Sequence, residues 1–143
     1  MVSLLPTALM VAGVLHFGLL LASFSTPRVL GWHSELRKVN PLTRQLVLVH
    51  GGFIVLTIIG FGAITLIAGR ELLSGSALSL AVTTMIGLFW ACRLLIQLFY
   101  FEAAPWLTTL YRKVGYRLLY AVFAYFTLVY LAAAWINVSR RAW

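Results

Sequence analysis

Residues 81–101 read Ala-Val-Thr-Thr-Met-Ile-Gly-Leu-Phe-Trp-Ala-Cys-Arg-Leu-Leu-Ile-Gln-Leu-Phe-Tyr-Phe. A helix needs about 20 predominantly apolar residues to cross ~30 Å of hydrocarbon, and this run has the length. It also carries Arg93. A guanidinium near the middle of a spanning helix costs roughly 2.5–3.5 kcal/mol on insertion scales, so it is expected to face a protein interior, a wet cavity or an anionic group. Gln97 and Tyr100 follow at i+4 and i+7, on the same helical face.

Three further apolar runs, over residues 4–24, 46–68 and 115–138, have the same reach. With 62% hydrophobic and only 10% charged residues among 143, the composition is that of an integral membrane protein rather than a soluble domain. Backbone polar groups in lipid must pair within their own segment, so each run is expected to be helical. Short connections make successive spans antiparallel. The expected fold is an all-α, four-transmembrane-helix antiparallel bundle in a single membrane domain, with spans at about 4–24, 41–68, 77–102 and 115–138. The first run lacks a basic n-region and a good small-residue cleavage site, and is read as a retained span.

The connections carry their own signals. Thr26-Pro27 is a cap and first-turn pair, and Val29, Trp32, Leu36 and Val39 then recur on one face. That pattern predicts a short amphipathic helix in the headgroup region with Trp32 as its anchor. Asn40-Pro41 repeats the cap signal, placing the start of the second long helix near Pro41. Gly69 is expected to end that helix, and Ser76 to cap the third. A second interfacial segment is expected over residues 106–113.

The net charge is +8, and its distribution suggests orientation rather than nucleic-acid binding. Arg28, Arg37, Lys38, Arg44, Arg112, Lys113 and Arg117 fall on one side, against Arg70, Arg140 and Arg141 on the other. The bias places both longer loops in the cytoplasm and both termini outside an inner membrane. The single Cys92 allows no intramolecular disulfide and no thiolate cluster.

Catalytic equipment is sparse. The acidic residues are Glu35, Glu71 and Glu102 alone, and there is no nucleophile–base set and no glycine-rich phosphate loop. The chain is therefore expected to bind or support rather than catalyse.

The intramembrane polar residues suggest three readings. In the first, His16 and His50 are metal ligands to a tetrapyrrole, haem b or a chlorophyll-type pigment, with Arg93 meeting a propionate. This suits a small accessory subunit of a larger redox or photosynthetic membrane complex. The Ala12-x-x-x-His16 spacing resembles the pigment-ligand pattern of bacterial light-harvesting polypeptides. That resemblance covers five residues and does not extend to the rest of the chain, so no function is carried over from it. In the second, Arg93, Gln97, His50 and the tyrosines Tyr100, Tyr116 and Tyr120 line a pocket for an anionic lipid or a quinone. In the third, the polar set only fixes helix registry in a scaffold subunit. All three imply the bilayer as a partner, together with other membrane subunits or a second copy of the chain.

Overall fold

In a computed structural model, residues 4–24, 31–101, 105 and 107–141 are described, the side chain of His33 excepted. Those residues are helical, without strands. The long helices are α1 (Leu5–Ser23), α3 (Pro41–Ile67), α4 (Ala77–Phe99) and α5 (Leu110–Arg141), with the short α2 (Trp32–Leu36) between the first two. All four long helices are long and apolar enough to cross a membrane. Four such helices suggest a multi-pass membrane protein.

The punctuation works as the residue types dictate. The Leu42 amide donates to Asn40 Oδ1 at 2.8 Å, opening α3 at Pro41. The Ser76 side chain accepts from the Ser79 amide at 3.0 Å, capping α4. Gly69 lies just beyond the end of α3, and a single 3-10 turn at Glu71–Leu73 carries the chain to Gly75, whose φ of 78° is a conformation open to glycine. The α2 helix has Gly31 as its cap at φ 63°, and its Glu35 pairs with Lys38 at 2.8 Å. Thr26-Pro27, expected to open that helix, lies outside the described residues, as does Trp106 of the second interfacial segment, whose residues 110–113 instead form the first turn of α5.

Two boundaries differ from expectation. Helix α5 runs from Leu110 to Arg141, beyond the 115–138 inferred from hydropathy. Hydropathy reports the length of the apolar run, whereas Tyr111, Arg112 and Lys113 at one end and Arg140 and Arg141 at the other are polar residues that continue the same helix beyond it. At ~1.5 Å per residue, the 32 residues of α5 rise roughly 48 Å, more than the hydrocarbon thickness. Helix α4 stops at Phe99 rather than near 102, its last turn closing as the Tyr100 and Phe101 amides both donate to the Ile96 carbonyl.

The contacts fall into two compact units, residues 1–12 with 68–143, and residues 13–67. In the first, α4 and α5 pack antiparallel. Gln97 meets Tyr116 and Tyr120, Trp90 meets Phe123 and Phe126, and Thr83 meets Asn137, so positions rise on one helix as they fall on the other. Gly87 lets the backbones approach: a Cβ there would lie 2.8 Å from Leu131 Cδ2. The Tyr125 hydroxyl ties the start of α1 to α5, donating to the Ala8 carbonyl at 3.0 Å. In the second unit, the rest of α1 runs antiparallel to α3 along Gly13–Leu66 and His16–Gly62. A Cβ on Gly62 would sit 2.8 Å from Phe17 Cε2 and 3.0 Å from His16 Cβ.

Candidate functional site

The site in the first unit is built where α4 ends and α5 begins. Arg93 is half-buried and donates from Nη1 to Gln97 Oε1 at 3.0 Å, the i to i+4 reach expected on one helical face. Its guanidinium carbon lies 4.9 Å from the centroid of Phe123 and 5.2 Å from that of Phe101. Two aromatic faces therefore hold one planar cation, an arrangement worth up to about 2 kcal/mol where water is excluded. Phe123 is buried and Phe101 exposed, so one contact belongs to the interior and the other to the surface.

Behind this cation stands an aromatic wall. Trp90, one turn before Arg93, stacks on Phe123 at 5.3 Å and contacts Phe126 at 4.6 Å. Gln97 is buried and contributes its backbone as well. Its carbonyl is among the last four of α4, which have no partner in their own helix. The Tyr120 hydroxyl donates to it at 2.9 Å and that of Tyr116 at 3.3 Å. The two rings meet edge to face, their centroids 5.1 Å apart.

Arg93 and Gln97, placed on one helical face by their spacing, are hydrogen-bonded to each other. Tyr100 is not part of the hydrogen-bonded group: it is exposed, with its ring 6.1 Å from that of Phe101. Sequence reasoning missed the rings of Phe101 and Phe123. The spacing Tyr116, Tyr120, Phe123 marks one face of α5, but only the register between α4 and α5 sets that face against Arg93. Among the described residues the one ion pair is Lys38–Glu35, so no carboxylate there neutralises Arg93. Glu102 lies outside the described residues.

The histidines are not brought together. His16 is fully buried, with its ring edge-on to Phe61 at 6.3 Å. Phe61 lies eleven positions beyond His50 on α3, roughly 16 Å along the axis at ~1.5 Å per residue. His50 itself is exposed, its Nδ1 2.8 Å from the Leu46 carbonyl. Among the described residues no group of three or more His, Cys, Asp or Glu side chains could hold a metal ion.

A second polar centre lies at the other end of α4. The buried Asn137 uses both ends of its amide. Nδ2 donates to the Leu72 carbonyl at 2.8 Å and Thr83 Oγ1 at 3.3 Å. Oδ1 accepts from the Gly75 amide at 2.9 Å and Ser79 Oγ at 3.2 Å. Arg140 donates to the neighbouring Leu73 carbonyl. This cluster locks the turn before α4 onto α5 and spends both Nδ2 hydrogens of Asn137, which marks that side chain as structural.

Set against known families, characterised proteins and solved structures, the chain has no match in any of the three comparisons. What the fold and the site define is a class: an all-helical chain with four membrane-length apolar helices and a half-buried, aromatic-flanked arginine.

Proposed function

We propose that the chain is a multi-pass inner-membrane protein, both termini outside, that binds an anionic lipid headgroup at Arg93. The observation that carries this reading is the guanidinium held between Phe101 and Phe123. One donor is spent on Gln97 and no carboxylate is paired with it among the described residues. A cation so placed keeps donors for an acceptor that arrives from the membrane, and a phosphate suits the flat fork of a guanidinium. The half-buried Arg112 and the exposed Lys113 and Arg117 near the start of α5 add positive potential, as the loops facing an anionic leaflet do. A quinone, offering a carbonyl without charge, is the competing ligand. Its partners would be the bilayer itself and other membrane subunits or a second copy.

The test is native mass spectrometry of wild type and Arg93→Leu released from nanodiscs of mixed phosphatidylglycerol and phosphatidylcholine. A charge-assisted hydrogen bond contributes about 1.5–3 kcal/mol, so wild type should prefer the anionic lipid by about 10–100-fold and the variant should lose that preference. Equal retention by a folded variant would reject the site. A quinone that co-purifies with wild type and is lost from Arg93→Leu would transfer the site to that ligand.

A further inference from the structure

The geometry points to His50 as the single axial ligand of a metallotetrapyrrole lying flat on the exposed face of α3. The starting fact is the 2.8 Å contact between His50 Nδ1 and the Leu46 carbonyl. A carbonyl oxygen only accepts, so Nδ1 carries the ring proton, and in the neutral imidazole Nε2 keeps its lone pair. Histidine ligands in metal sites are oriented in this way: one ring nitrogen donates to a carbonyl, which makes the other more basic and aims it outward.

The surroundings of Nε2 suit a large flat ligand. Every residue from Pro41 to His50 is exposed. Leu46 and Val47 precede His50 by one turn, Phe53 and Ile54 follow by one turn, and all four are exposed apolar side chains. A Cβ placed on Gly51 or Gly52 would meet nothing within 4 Å, so no neighbouring side chain crowds the ring position. No hydrogen bond to Nε2 forms among the described residues, so its lone pair is open to a ligand.

A bare divalent ion does not fit, because no cluster of ligating side chains stands near enough to complete its shell among the described residues. The remaining ligands must arrive with the metal, as the pyrrole nitrogens of a tetrapyrrole do. The step is a single coordinate bond from Nε2 to the metal, without change of oxidation state. Fully buried His16 offers no such surface. The inference stands apart from the Arg93 reading, whose residues belong to the other unit.

The chain in phosphatidylcholine nanodiscs is titrated with zinc protoporphyrin, ferric protoporphyrin and metal-free protoporphyrin. Saturable binding of one metallated ring per chain, with the spectrum of imidazole ligation, is expected. His50→Ala weakens it by at least about tenfold, while His16→Gln leaves it unchanged. His50→Gly regains the ligated spectrum when imidazole is added, which separates ligand loss from misfolding. The metal-free ring partitions equally into wild type and His50→Ala. Unchanged affinity in His50→Ala, the same His50 dependence for the metal-free ring, or absence of saturation with both metallated rings would overturn the proposal. Preference for the zinc or the iron ring tells a chlorophyll-type site from a haem site.

Discussion

Tyr120 of α5 donates its hydroxyl to the Gln97 carbonyl of α4 at 2.9 Å, and so closes a helix end that its own backbone leaves open. Tyr116 shares the same oxygen at 3.3 Å. Tyr120→Phe is expected to cost about 0.5–1.5 kcal/mol of unfolding free energy, measured by SDS titration in mixed micelles. Tyr116→Phe should cost less. The double variant should exceed the sum of the two, because only then is the carbonyl left with neither hydroxyl. Strict additivity would show that the two hydroxyls act separately.

The aromatic faces around Arg93 differ in burial, which allows them to be separated. Phe101 is exposed, so Phe101→Leu should fold normally and lower the preference for phosphatidylglycerol by about two- to fivefold, the worth of one exposed cation–π contact. Phe123→Leu should lower both lipid preference and thermal stability, since Phe123 also stacks on Trp90. Arg93→Lys keeps the charge but loses the planar stack, and an intermediate lipid preference is expected. A lipid preference in Arg93→Lys equal to wild type would mean that charge alone decides.

Asn137 satisfies a turn and two hydroxyls at once. Asn137→Leu leaves the Gly75 amide and the Leu72 carbonyl without their partner, at an expected cost of about 1–3 kcal/mol. Hydrogen exchange should speed up selectively at residues 72–79, because Asn137 holds that turn at Leu72, Gly75, Ser79 and Thr83 Oγ1, beside the single bond from Arg140 to Leu73. Exchange that rises evenly along α4 would instead mean global loosening.

Gly87 and Leu131 occupy one close contact between α4 and α5. Gly87→Ala should destabilise because its Cβ would come within 2.8 Å of Leu131 Cδ2. Leu131→Ala in the same chain should recover most of the loss, giving a coupling energy of about 0.5–3 kcal/mol in a double-mutant cycle. No coupling would place the strain elsewhere.

The two histidines should respond oppositely to replacement. His16→Ala opens a buried cavity beside Phe61 and should lower stability by about 2–4 kcal/mol. His50→Ala removes an exposed side chain bonded only to its own helix, and its stability should stay within about 0.5 kcal/mol of wild type. Equal losses would mean that His50 has a packing partner.

The amino-acid sequence by itself determined the number of long helices, their order and most of their ends. Apolar length is a local property, and Asn40, Ser76 and the glycines at 69 and 75 act on the backbone beside them. It also placed Arg93 and Gln97 on one face, since a four-residue helical spacing needs no tertiary information. The tertiary structure alone decided which faces meet. In a chain apolar on every side, the stripe Leu5, Leu9, Ala12, His16, Leu19 that is buried along α1 differs little in hydropathy from the exposed positions between, because lipid and protein interior are both apolar. Register between antiparallel helices then set Phe123, Tyr116 and Tyr120 against Arg93 and Gln97, and turned His16 inward while leaving His50 exposed. Those pairings depend on side-chain interlocking at Gly62 and Gly87, where a single Cβ would shift the fit.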